Sequence, residues 1–242
     1  GSEVVTGEDL VILQNIQAKA QQSSVQKQLF SSKAIYQRLR TEQDYNQELD
    51  LSSLTLLAES AGYPEDLMES IKTQEGIFTI RKESYLGKKE ILGQRIIQFM
   101  QEIKAFEAQD KSVTKQLEIL MKQLIATTKM VELRNLPITD QLEIEKQIAD
   151  LEGTKGSLTA SLAKTKLTIL ETELEIINFS KENLNNILAE MQEVEKTIAS
   201  LTEQLTSTSD ILKRTVIKAP SSGLVMNLKY HTIGAVIPPG GE

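Results

Sequence analysis

Proline occurs at Pro64, Pro137, Pro220, Pro238 and Pro239 and nowhere else, leaving two long proline-free stretches, 65–136 and 138–219. Inside a helix, proline removes a backbone hydrogen bond and collides with the preceding turn, so long helices can lie only between these positions. Each stretch opens on acidic residues, Glu65 and Asp66 in one and Asp140 in the other. They suit the positive end of a helix, and Thr139 suits an N-cap.

Periodicity decides what these helices are. Seven-residue steps from Ile71 run through Phe78, Tyr85, Leu92, Phe99, Phe106, Val113 and Leu120 without a polar interruption. A second row, Ile96, Ile103, Leu117, Leu124 and Val131, is broken only by Asp110. This 4–3 alternation is the seam of a coiled coil. In the second stretch, steps of seven from Leu142 give Ala149, Gly156, Ala163, Leu170, Ile177, Leu184, Met191, Ile198, Leu205 and Leu212. Nearer the start a neighbouring row competes, with Ile144, Ile148, Leu151, Leu158, Leu162 and Ile169. The spacing predicts a seam that changes track near residue 170, as at a stutter.

Between the stretches, residues 133–139 are too few for anything but a reversal, and short connections make antiparallel neighbours. The expectation is a hairpin of two helices of roughly 70 residues, each on the order of 100 Å long at 1.5 Å per residue. A third helix is expected at about 15–48, flanking the hairpin with Val25, Leu29, Tyr36 and Leu39 on one face, followed by a Ser- and Gly-containing link to Tyr63.

The two ends change character. Val4–Leu13 reads as strand, turn, strand. Thr215–Lys218, Leu224–Leu228 and His231–Ile237 read as strands separated by turns. Neither piece can bury a face alone, since isolated two-stranded ribbons are marginal in water. A hairpin returns its ends to one place, so the halves are expected to join. The fold class expected is therefore mainly α, a long antiparallel coiled-coil hairpin with an extra flanking helix, inserted in a small split β domain. Its parts are residues 1–14, the helical 15–212 (helices at about 15–48, 65–133 and 139–212), and 213–242.

Composition narrows the function. Aromatic residues make up 4% of the chain, with no tryptophan, which suits a thin leucine-sized seam better than a globular core. A net charge of −7 argues against nucleic-acid binding, which needs a basic face. There is no cysteine, hence no disulfide or thiolate metal site. His231 is the only histidine, so no metal site or nucleophile–base pair can be assembled around it. Glu143 and Glu145 read as solvated coiled-coil positions. Nothing resembles a phosphate loop or a catalytic triad, so no enzyme, cofactor or catalytic residue is expected. Gly1-Ser2 reads as a cloning remnant, and no run of residues reaches the roughly 20 apolar positions that span a bilayer.

The segment IKAPSSGLVMNL…HTIGAVIPPG after a long coiled coil resembles the second half of the lipoyl-like domain of periplasmic adaptors, and TGEDLVIL at 6–13 is similar to the first half. More narrowly, the chain resembles the membrane fusion proteins of bacterial type I secretion systems, the hemolysin-secretion (HlyD-like) adaptor family. That resemblance implies an adaptor in the periplasm, anchored in the inner membrane through a segment absent here. Its partners would be an inner-membrane ABC transporter and an outer-membrane channel protein, with copies self-associating into a ring, a hexamer in the full assembly. Lipoyl and biotinyl domains carry a modified lysine at a hairpin tip, but Lys229 lies between Leu228 and Tyr230 and lacks the usual Asp or Met before it.

Adaptors of this broad type carry Arg-x3-Leu-x6-Ser/Thr at the tip. Here Lys129, Leu133 and Thr139 stand in that pattern, with lysine for arginine and a spacer one residue shorter. A cation, an apolar knob and a hydroxyl at a helix turn suit docking to the end of another helical hairpin. The structural alternative is that Leu133 closes the hairpin, Thr139 caps the next helix and Lys129 is solvated. Gly153 and Gly156 sit in a helix interior at roughly 1 kcal/mol each against alanine. They are either tolerated soft spots or sites of close approach by a neighbouring helix or subunit. Two other functions share parts of this plan, a drug-efflux periplasmic adaptor and a cytoplasmic coiled-coil scaffold, the latter with no use for a split β domain.

Overall fold

A computed structural model of the chain describes residues 2–45, 47–60, 64–226, 232 and 234–237. Along the chain come β1 (Glu3–Val4), β2 (Asp9–Ile12), α1 (Ile16–Glu42), α2 (Ser52–Glu59), α3 (Pro64–Glu132), α4 (Ile138–Arg214), β3 (Val216–Lys218) and β4 (Gly223–Leu224). The chain divides into two units: Gly1–Phe78 with Leu188–Glu242, and Thr79–Ile187.

In the first unit the two ends of the chain do join. β1 pairs antiparallel with β4 (Glu3 opposite Leu224), and β2 with β3 (Ile12 opposite Val216, Val11 opposite Ile217), with a bulge between Asp9 and Val11. Gly7, at φ 87°, makes the turn between β1 and β2, a backbone conformation that favours glycine. Its N–H donates to the Ala219 carbonyl at 2.9 Å, and the Ala219 N–H donates to the Glu8 carbonyl at 2.9 Å. The Thr6 N–H donates to Ser222 Oγ at 3.0 Å. Of the last expected strand, Thr232 and residues 234–237 are not in a strand, while His231 and Ile233 lie outside the described residues.

α1 packs on two sides. Val25 and Leu29 meet Leu201 of α4, with Ile198 and Leu205 beside them. Phe30 and Ala34 meet Leu51, Leu54 and Ala58 around α2, and Leu67 and Ile71 of α3. The flanking helix is thus present but ends at Glu42, six residues short of the expected 48. The link that follows is not extended, because Leu51, Leu54 and Ala58 recur at helical spacing and bury one face of α2. Its start is held by Asp50, whose carboxylate accepts the Ser52 N–H at 2.9 Å. Hydrogen bonds from the Ser52 hydroxyl and backbone hold the Asp50 carboxyl below its usual range. Serine in this link therefore marks a helix start, where sequence alone suggests a loop.

Beside this core lies a buried polar cluster. Arg38 (4% exposed) is ion-paired through Nη1 with Glu42 (1% exposed), one turn along α1. Its Nε donates to Gln74 Oε1 of α3 at 2.8 Å, and Nη2 lies 4.0 Å from Glu190 Oε2 of α4. The guanidinium is planar and presents five donors, so it can serve all three helices at once.

The second unit is the hairpin proper. On α3, Leu92, Val113 and Leu117 are buried, and the half-buried positions 96, 99, 103, 106, 120, 124 and 131 fall on the two rows expected from sequence. Tyr85 sets the antiparallel register: its hydroxyl donates to Ser180 Oγ at 3.2 Å, and its ring stacks on Phe179 with centroids 5.5 Å apart. Arg95 and Glu175 form an exposed ion pair at 3.8 Å further along.

On α4 the seam departs from expectation. The inward residues are Ile144, Ile148, Leu151, Leu158, Leu162, Thr165, Ile169, Thr172, Ile176 and Phe179, a 4–3 row with the half-buried Lys155 at its one charged step. The row starting at Leu142 is exposed in this unit: Leu142 is 54% exposed and Leu170 56%. The two rows merge only between Phe179 and Met191, not near residue 170. Thr165 and Thr172 carry the inner row through the gap, at 8% and 4% exposure. Thr172 satisfies its hydroxyl by donating to the Thr168 carbonyl at 2.8 Å, which lets a polar residue sit at a seam position.

Candidate partner-binding site at the hairpin tip

α3 ends in a Schellman motif. The Asn135 N–H donates to the Met130 carbonyl and the Arg134 N–H to the Val131 carbonyl, both at 2.9 Å. The residue in the left-handed conformation is Arg134, at φ 60°, where glycine is usual. α4 then begins at Ile138, with the Asp140 N–H donating to the Pro137 carbonyl at 3.2 Å.

Thr139 is therefore the second residue inside α4 and does not cap it. Its hydroxyl donates to Asp140 Oδ1 at 3.4 Å. Lys129 lies in the last turn of α3, where a cation complements the negative end of the helix, and its carbonyl accepts the Leu133 N–H at 3.1 Å. Lys129, Leu133 and Thr139 are all exposed, and the reversal brings them to one end of this unit.

The apolar side chains there are open to solvent. Leu133 is 67% exposed, Ile138 56%, Leu142 54% and Leu136 37%. Leu133 does not close the hairpin, because Val131 is the last half-buried seam residue of α3 and Ile144 the first buried one of α4. Sequence reasoning missed Arg134, because an arginine between Leu133 and Asn135 carries no signal of a left-handed backbone.

Among the described residues no group of three or more His, Cys, Asp or Glu side chains could hold a metal, and no helix is long and apolar enough to cross a membrane. Lys229 and His231 lie outside the described residues.

Residues 18–211 match the family described as AprE, long alpha-helical hairpin. The chain belongs to the AprE long alpha-helical hairpin family. It is 28% identical over 170 residues to the type I secretion system membrane fusion protein PrsE of Rhizobium meliloti, covering 70% of this chain and 39% of that protein. It is 25% identical over 240 residues to the alkaline protease secretion protein AprE of Pseudomonas aeruginosa, covering 99% of this chain and 55% of that protein. The chain thus spans about half the length, or less, of these relatives. Among solved structures, the soluble domain of LipC, a membrane fusion protein of a type I secretion system, shares the fold with a TM-score of 0.93. That match has 21% identity and covers 100% of this chain and 90% of that one. The periplasmic adaptor EmrA is more distant, with a TM-score of 0.53 and 16% identity over 99% of this chain and 63% of that one.

Proposed function

We propose that this chain is the hairpin-bearing part of a periplasmic adaptor, anchored in the inner membrane in its full length. In this reading it links an inner-membrane ABC transporter to an outer-membrane channel for type I protein secretion. The observation that carries the reading is the match of residues 18–211 to the AprE family, together with similarity to a named secretion protein along 99% of the chain. Residues 1–14 and 213–242, paired through β1–β4 and β2–β3, are in this reading the first and second halves of a split lipoyl-like domain. The tip is the docking end: Leu133 enters an apolar cleft of the channel, Lys129 meets an acidic group at its rim and Thr139 supplies a hydroxyl. Burying one leucine contributes about 2 kcal/mol, and a ring of copies repeats the contact in every subunit, so that a weak contact becomes a stable junction.

The likeness to EmrA keeps one competing reading, a drug-efflux adaptor, because that protein is a periplasmic adaptor that shares part of this fold. Deleting the full-length gene separates the two. The secretion reading expects a protein to vanish from the culture medium and accumulate in cells, with drug susceptibility unchanged. Normal secretion with raised drug sensitivity would establish the efflux reading instead.

A further inference from the structure

In the second unit, charge keeps out of the seam almost everywhere. Over residues 92–124 of α3 and 144–180 of α4, every charged side chain is exposed but two, Asp110 and Lys155, which are half-buried. Each occupies a seam position of its own helix. Asp110 stands in the row of Ile96, Ile103, Leu117 and Leu124, and Lys155 stands between Leu151 and Leu158 in the inner row of α4. A charge at such a position carries a desolvation cost that an apolar residue would not.

The two exceptions are level with each other. Tyr85 stacks on Phe179, and from that contact one helix of the antiparallel pair advances as the other retreats. Asp110 lies 25 residues beyond Tyr85 and Lys155 lies 24 before Phe179. At 1.5 Å per residue they fall within about 1.5 Å of one height. The same count sets Leu92 against Thr172, Phe99 against Thr165 and Leu117 against Ile148, all of them buried or half-buried. An acid on one helix and a base on the other thus share a single layer. Among the described residues no ion pair joins them, so they act as opposite charges in a half-dry layer without a formed contact.

We propose that Asp110 and Lys155 are a register lock, the layer that distinguishes the native alignment of α4 on α3 from one shifted by a heptad. The rows around them repeat large apolar residues every seven positions, so a shifted seam would still set apolar against apolar. The charged layer breaks that degeneracy. Shifting α4 by seven residues one way sets Asp110 against Leu162 and Lys155 against Leu117. Shifting it the other way sets them against Ile148 and Ile103. Either shift leaves two opposite charges in separate apolar layers. A polar layer in a seam fixes register in this manner at a cost in stability. One heptad is about 10 Å along the axis, and a shift of that size would dismantle the turn that gathers Lys129, Leu133 and Thr139. The lock therefore holds the geometry of the tip, whichever partner the tip meets, and stands apart from the adaptor reading.

The chain has no cysteine, so introduced ones report alignment cleanly. In full-length protein, Ile103→Cys/Leu162→Cys lies in one native layer, while Ile103→Cys/Ile169→Cys and Ile96→Cys/Leu162→Cys share a layer only after a shift. With Asp110 and Lys155 in place, only the native pair is expected to oxidise to an intrachain disulfide. In Asp110→Leu/Lys155→Leu a shifted pair should cross-link at least about tenfold more, the ratio that corresponds to about 1.4 kcal/mol, with helicity retained. The charge swap Asp110→Lys/Lys155→Asp should restore the native alignment, and Asp110→Lys alone should not. Shifted cross-links no more frequent in the apolar double variant than in the parent would overturn the proposal. So would a charge swap that slips as readily as Asp110→Lys alone. Neither transporter nor channel enters the measurement, so its outcome is independent of secretion.

Discussion

Replacing Arg38 with methionine removes a buried cation that joins α1, α3 and α4. Glu42 is 1% exposed and ion-paired with Arg38, so the variant takes the guanidinium away from a carboxylate in a nearly dry site, while Gln74 loses a donor held at 2.8 Å. Breaking a buried pair from one side costs about 3–5 kcal/mol, because the remaining charge keeps its desolvation cost and loses its compensation. At about 1.4 kcal/mol per decade that is a factor of about 10² to a few times 10³ in the folding equilibrium. Removing both charges, in Arg38→Met/Glu42→Met, replaces the pair by apolar volume. It should therefore recover most of the loss, since buried pairs are often neutral against apolar substitutes. Urea unfolding followed by circular dichroism at 222 nm measures both variants. The reasoning is refuted if Arg38→Met loses less than about 1 kcal/mol, or if the double variant is as unstable as the single losses added together.

Thr139→Ala should leave stability within about 0.5 kcal/mol by thermal melting, because the residue is exposed and does not cap α4; a loss near that of a cap, about 1 kcal/mol, would restore the capping role. Arg134→Gly should raise stability by about 1 kcal/mol, relieving a left-handed backbone at φ 60°, and a lower melting temperature would show that the arginine side chain holds the turn. Asp110→Leu fills the one charged gap in the second α3 row and should stabilise the hairpin by about 1 kcal/mol or more in urea. Destabilisation there would mean that the carboxylate adds net stability to the seam.

How far the sequence reveals this fold depends on how many readings each row allows. α3 is legible because its bulky row, from Phe78 through Leu92 to Val113, has no apolar rival, and the structure buries it. α4 is not, because two heptad rows run side by side and burial alone can choose between them. The inner one is disguised by Thr165 and Thr172, while the outer one carries the larger Leu167, Leu170 and Leu174, all exposed. α2 is hidden by serines that mark turns in isolation and a helix start here. Arg38, Glu42 and Gln74 are invisible to any reading that looks for apolar cores. At the tip, Lys129, Leu133 and Thr139 are legible as a spacing, and their shared exposure makes them available, but the left-handed Arg134 between them follows from backbone geometry alone.

The central claim is that the exposed tip docks a secretion partner. Leu133→Asp in the full-length protein tests it most directly, with secreted protein in the medium measured beside helicity and expression. Leu133 is 67% exposed and makes no seam contact, so the substitution should leave the fold intact. The account predicts that secretion is abolished or strongly reduced while helicity and melting temperature are unchanged. Normal secretion from a folded Leu133→Asp protein would contradict it and make the tip a turn and nothing more.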